Sequence, residues 1–130
     1  MKTNQKLALA VLAGLPIGFA GAMAIHAQQA KAPPGYIISE VDEINDLTTL
    51  RKYAAKVDET LAPFNHHFIV RGGEAQALEG EPPKGIVVIA FDSAEKAREW
   101  YGSPAYQAIK PLRQSTTKGR LFIVEGVAPQ

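Results

Sequence analysis

The sequence predicts an α+β domain with the element order β-α-β-β-α-β. Two observations carry this prediction. The first is the middle stretch, residues 68–80, where the apolar run Phe68-Ile69-Val70 ends in Arg71-Gly72-Gly73 and a polar excursion reaches Glu79-Gly80. A second apolar run, Ile86-Val87-Val88-Ile89-Ala90-Phe91, follows almost at once. Two β-rich runs separated by glycine and turn residues read as antiparallel strands joined by a wide loop. The second observation is that helical periodicity falls once before this pair and once after it.

In chain order, residues 35–44 (GYIISEVDEI) form the first strand. Ile37 and Val41 lie on one phase, Tyr36, Ile38, Glu40 and Asp42 on the other. The Ile37 phase is the better one to pack against helices, and the acid-bearing phase should meet water, a cavity or a partner. Asn45-Asp46 signals a turn and a helix N-cap. Leu47, Leu50, Tyr53, Ala54, Val57 and Leu61 then recur at helical spacing over about four turns, and Pro63 stops the helix. The chain returns as a strand over residues 64–70.

Residues 86–91 are the most apolar run of the domain, which predicts a central strand buried on both faces. Ser93 caps a segment over residues 94–101 that turns Ala97, Trp100 and Tyr101 inward, and Gly102 ends it. Ser103-Pro104 starts another helix, with serine at the cap and proline at the first helical position. Its stripe is Tyr106, Ile109 and Leu112, and Pro111 is expected to close it. Gly119-Arg120 turns the chain into the last strand, residues 121–125. This is the ferredoxin-like pattern, a four-stranded antiparallel sheet with helices on one face.

The N-terminus has a different character. Lys2 and Lys6 precede a charge-free run over residues 7–25, followed by Ala22-Met23-Ala24 and Ile25-His26-Ala27. Basic, apolar and small residues in that order mark a secretory signal peptide. A membrane anchor is the rival, because the run approaches the ~20 residues of a spanning helix. Gly14, Pro16, Gly18 and Gly21 dilute it, and no basic cluster follows to stop transfer. The expected organisation is a signal peptide over residues 1–27, a loose Pro-ended linker over 28–34 and the domain over 35–127.

Cleavage after Ala24 or Ala27 removes two of the 14 basic residues and none of the 13 acidic ones. The exported domain then carries a formal charge of −1 with its signs interspersed. That surface gives no electrostatic reason to expect nucleic acid, or stable membrane association after cleavage. With no cysteine, disulfide stapling, thiolate catalysis and thiolate metal sites are excluded.

The segments Arg71-Gly72-Gly73, Glu79-Gly80, Ser103-Pro104-Ala105-Tyr106-Gln107-Ala108-Ile109-Lys110-Pro111-Leu112-Arg113 and Val124-Glu125-Gly126 resemble the domain of unknown function 1330 family. The likeness covers nearly all of residues 35–127. It implies a ferredoxin-like domain of the dimeric α/β-barrel type, in which two sheets pair to enclose a shared space. It implies no agreed activity. The chain departs from the family at Asn65-His66-His67, where a glycine and a basic or aromatic residue usually precede Arg-Gly-Gly.

Candidate chemistry centres on the strand before the loop. His66 and His67 point to opposite faces, so regular β geometry cannot aim both at one metal, and no metal is expected there. His67 shares a phase with Ile69 and Arg71. With Glu40 and Glu125 turned to that side, the cluster His67, Arg71 and Glu40 would bind a carboxylate through Arg71 and move a proton through His67. The bland alternative is an Arg71 that pairs with an acid at a dimer seam.

Gly72-Gly73 lacks a phosphate-loop pattern and more simply supplies φ > 0 at a bend. Glu79 is a candidate loop acid. Tyr53 and Tyr106 are candidate cavity residues, core-packed with hydroxyls near the rim. Arg113 sits at a helix end that favours a cation. No cofactor is expected. Two function classes follow: a cofactor-free enzyme acting on a small organic acid or aromatic between the paired sheets of a homodimer, or a non-catalytic binding or interaction module of the cell envelope.

Overall fold

Each helix begins where a short polar side chain takes over the free amides of its first turn. The computed structural model describes residues 32–130. The expected signal segment and residues 28–31 of the linker lie outside the described residues. Asp46 caps α1 (Leu47–Leu61), accepting from the Thr49 amide at 3.0 Å and from the Thr49 hydroxyl at 2.7 Å. Those bonds hold its carboxyl below the ordinary carboxylate value. Ser93 caps α2 (Ala94–Gly102), and Ser103 caps α3 (Pro104–Gln114), with Pro104 in the first turn where no amide partner is lost.

The strands are β1 (Gly35–Ile44), β2 (His66–Arg71), β3 (Gly85–Phe91) and β4 (Thr117–Glu125). They form one antiparallel sheet in the order β2-β3-β1-β4, the ferredoxin-like arrangement expected from the element order. The helices cover the Ile37 phase of β1. Ile37, Leu61, Trp100 and Tyr106 are essentially inaccessible, and they cluster with Val57, Ile89, Phe91, Ala97 and Ile109. On the opposite, outer face β1 presents Tyr36, Ile38 and Glu40. Burial of β3 is complete only over Ile89, Ala90 and Phe91; Ile86, Val87 and Val88 remain half-buried.

β2 begins two residues later than expected, at His66, and two further boundary differences affect the site. Pro111 does not end α3; the helix runs one turn further, to Gln114. The lost amide bond at Pro111 is offset by anchors beyond it. The Thr116 hydroxyl donates to the Leu112 carbonyl at 2.6 Å, and the Thr117 hydroxyl to the Arg113 carbonyl at 2.8 Å. Gly119 and Arg120 do not turn the chain but belong to β4 itself. A Cβ at Gly119 would collide with the carbonyl oxygen of Glu40, so only glycine lets the two strands approach there.

Trp100 buries its indole in this core and needs an acceptor for its N–H. Thr60 supplies one: Nε1 donates to Oγ1 at 3.0 Å, and Oγ1 donates to the Val57 carbonyl at 2.7 Å. Thr60→Val keeps the shape and removes the acceptor. It should cost about 1–3 kcal/mol in denaturant unfolding, and Thr60→Ser should recover most of that; a loss in Thr60→Ser with none in Thr60→Val would show that the methyl, not the hydroxyl, matters.

Candidate functional site

A cavity of about 190 Å³ lies between the inner sheet face and the helices. Ser39, Ala54 and Thr117 present small side chains to it, and the space is open to solvent beside Ala54. Ile37, Val41, Val57, Phe68, Val87, Ile89, Trp100 and Leu121 make most of the remaining wall apolar. The ionisable groups on the wall are Tyr53, Arg71 and Arg113. This space is inside one protomer, on the side of the sheet opposite to the outer face through which two sheets would pair.

Arg113 reaches the cavity because α3 continues past Pro111. Tyr106 and Arg113 are seven residues apart, two turns along one helix face. Arg113 Nε donates to the Tyr106 hydroxyl at 3.2 Å. The guanidinium also neighbours the Tyr53 hydroxyl, and among the described residues no carboxylate lies within ion-pair distance of it. Tyr106 packs against Trp100 at a tilt, with ring centres 4.2 Å apart, and is 0 % exposed. Its hydroxyl lies 2.9 Å from that of Tyr53 on α1. Burial, chiefly, and then the neighbouring Tyr106 push the Tyr53 phenol well above its ordinary value, so it stays protonated near neutrality. Tyr106 is therefore deep in the core rather than near a rim; Tyr53 is the phenol that faces open space.

Arg71 is not where alternation puts it. The β2–β3 register runs Phe68↔Ile89 and then Val70↔Val88, so Ile69 is an extra residue in a bulge. The bulge reverses parity beyond it: His67 stays on the outer face opposite Ala90, whereas Arg71 turns to the helix face opposite Val87. There Arg71 forms a two-toothed pair with Asp58 of α1, at 3.0 and 3.3 Å, and lies 4.1 Å from the Phe68 ring centre. Neither Glu40 nor Glu125 is its partner. Leu50, Ala54 and Asp58 follow one another at four-residue spacing, so the helical pattern already put Asp58 on the flank of the cavity-facing stripe.

Glu40 is on the outer face and pairs with Arg120 of β4 at 2.8 Å; Asp42 joins the same guanidinium at 2.9 Å. Nothing local in the sequence points to Arg120, because the pairing spans the β1–β4 ladder. Glu40 stands two strands and four residue pairs from His67, a separation of roughly 15 Å or more by strand geometry. His67, Arg71 and Glu40 therefore do not converge on one point. Glu125 is exposed at the far end of β4, opposite Gly35, and Glu79 is exposed in the β2–β3 loop. Gly72 and Gly80 have φ of 75° and 70°, the left-handed turns that glycine permits. His66 donates Nδ1–H to the Phe64 carbonyl at 2.7 Å. Among the described residues no group of His, Asp or Glu gathers as a metal centre.

A family model, Domain of unknown function (DUF1330), matches residues 34–127. The chain belongs to this family. No curated protein matches this DUF1330 chain by sequence. Its fold is similar to that of a protein of unknown function from Rhodopseudomonas palustris, at TM-score 0.60 and 15% identity, covering 82% of this chain and 94% of the other. A dimeric ferredoxin-like protein of unknown function from Thermobifida fusca gives TM-score 0.51 and 14% identity, covering 74% and 92%. A cofactor-independent oxygenase from Streptomyces nogalater gives 0.51 and 10%, covering 76% and 96%. At these identities the likeness establishes the fold alone.

The Arg71 and Asp58 side chains are 45% and 58% exposed, so their ion pair is screened by water and contributes little. Arg71→Ala in this DUF1330 protein should lower unfolding free energy by no more than about 1 kcal/mol. A loss near the ~3–5 kcal/mol of a buried pair would mean that the pair is covered in the assembled protein.

Proposed function

We propose that this DUF1330 protein is an exported homodimer that binds a small organic anion in the cavity between its sheet and helices. The supporting observation is Arg113. A half-buried guanidinium with no carboxylate partner among the described residues, set in an apolar wall, leaves a positive charge for a ligand to neutralise. Of the polar groups on the wall, the Thr117 hydroxyl is spent on the Arg113 carbonyl and Arg71 is paired with Asp58, whereas Arg113, Tyr53 and Ser39 have hydrogens to give. They suit an acceptor such as a carboxylate or a carbonyl. The volume suits one ring with one small substituent, since an apolar cavity of about 150 Å³ accommodates benzene.

Binding is the reading favoured over proton transfer. Among the described residues no histidine, aspartate or glutamate lines the cavity, whereas a general base must reach the proton it removes. The oxygenase from Streptomyces nogalater is cofactor-independent, and its fold likeness supports a ligand space in such a scaffold without assigning a reaction.

The homodimer rests on the outer sheet face. Ile69, Phe122 and Val124 are 51%, 38% and 41% exposed there, and they continue an apolar surface with Ile38 and Val88. A contiguous apolar face of that kind marks an interaction surface, and a second copy supplies the complementary one. Export rests on the N-terminal pattern of basic, apolar and small residues.

Benzoate and toluene serve as size-matched probes of the cavity. Calorimetry should give benzoate the tighter binding in the wild type. Arg113→Gln should cut benzoate affinity about tenfold or more and leave toluene nearly unchanged, with Arg113→Lys in between. If neither probe binds, the cavity reading fails. Protein recovered from the cell envelope should begin after Ala24 or Ala27 and scatter light at twice the monomer mass; an intact Met1 or a monomer across dilution would overturn export or dimerisation respectively.

A further inference from the structure

We infer that Tyr53 presents its phenolic hydrogen to the cavity, aimed by a one-way chain of donors from Arg113 through Tyr106, so that the ligand meets it with a carbonyl or carboxylate oxygen. The inference rests on the proposed ligand cavity and adds a neutral donor to the charge site at Arg113.

The direction of the chain follows from counting hydrogens. The Tyr106 hydroxyl has two polar neighbours among the described residues, Arg113 Nε at 3.2 Å and the Tyr53 hydroxyl at 2.9 Å. Arg113 has hydrogens to give and no lone pair to take one, so Tyr106 accepts from it. Tyr106 is 0 % exposed, and a buried O–H without an acceptor is costly. Its hydrogen must therefore go to the oxygen of Tyr53. That leaves the Tyr53 hydrogen without a protein acceptor among the described residues: its neighbours are the Tyr106 hydroxyl, whose oxygen already accepts from Arg113, and the Arg113 guanidinium, which has only hydrogens to give. Tyr53 lines the cavity and Tyr106 does not. The free hydrogen is thus at the wall where a ligand lies, and Tyr106, held against Trp100, acts as the positioning residue behind it. Each donor in the chain polarises the next, which strengthens the last one.

The same side chains explain why the donor does not revert. Burial disfavours the phenolate of Tyr53, so the hydrogen is present over the neutral range. Rotation of the Tyr53 O–H toward Tyr106 would leave the Tyr106 hydrogen with no acceptor.

Acetophenone and ethylbenzene differ at this site by a single carbonyl oxygen, and both are uncharged. Wild-type protein should bind acetophenone about fivefold more tightly, and the infrared carbonyl stretch of bound acetophenone should fall relative to its value in hydrocarbon solvent. Tyr53→Phe should reduce the preference to near unity and raise the stretch, with ethylbenzene affinity retained. The double variant Tyr53→Phe with Tyr106→Phe removes both hydroxyls and strands no phenol hydrogen; it should lose the preference in the same way. An unchanged preference in both variants overturns the inference and leaves the cavity reading standing. Equal loss of both probes assigns Tyr53 a packing role and also overturns it. If neither probe binds the wild type, the cavity reading fails as well.

Discussion

The hydroxyl of Tyr106 is the constraint on which the arrangement around the cavity depends. Its ring closes the core against Trp100 and its oxygen must be hydrogen-bonded inside that core. The partners that meet this requirement come from α1 and from the last turn of α3. A single buried phenol thereby fixes how α1 sits against α3 and which groups face the space between them and the sheet. Thr60 does the same for the indole of Trp100 from the C-terminal end of α1. The helix layer is tied down by polar satisfaction of large aromatic side chains as much as by apolar burial.

Strand alternation and one bulge then decide which charges face the cavity and which face outward. The bulge at Ile69 turns Arg71 inward to Asp58. The β1–β4 register shifts between Val41 and Glu43, and beside that irregularity Glu40 and Asp42 share the Arg120 guanidinium, while Glu43 pairs with Lys118. The outer face consequently carries charge at one end and apolar side chains at the other. A partner sheet can cover the apolar part without burying the ion pairs, whose desolvation would be costly. The inner face keeps its cations at the cavity, one neutralised by Asp58 and one without a carboxylate partner among the described residues.

That distribution joins the two proposed roles of the sheet without confusing them. The surface suited to a second copy and the space suited to a ligand lie on opposite faces, so association and binding draw on different side chains. The donor character of the cavity, with Arg113 beside Tyr53, favours an oxygen-bearing guest over a hydrocarbon of the same size. A half-buried donor without an acceptor among the described residues is what such a guest relieves.

The element order, the caps at Asp46, Ser93 and Ser103 and the inward phase of Ile37 were legible in the sequence, because each depends on residues close along the chain. Alternation placed Glu40 outward and the helical period placed Tyr53 on the buried stripe for the same reason. The course of α3 past Pro111 was not legible: local propensity opposes it, and the threonine hydroxyls and the Tyr106 contact that outweigh the lost amide bond come from tertiary placement. Nor was the bulge at Ile69, since no residue type announces an extra residue in a strand, and one added residue exchanges the faces of everything beyond it. The sequence by itself determined the family, the fold and the apolar and polar faces, which are properties of period. Only the tertiary structure decided that Arg71 meets Asp58 while Arg113 has no carboxylate partner among the described residues, and that Tyr53 faces the cavity while Tyr106 is sealed in the core. Those depend on which groups distant in sequence come within 3–4 Å of one another, the range in which hydrogen bonds and ion pairs act.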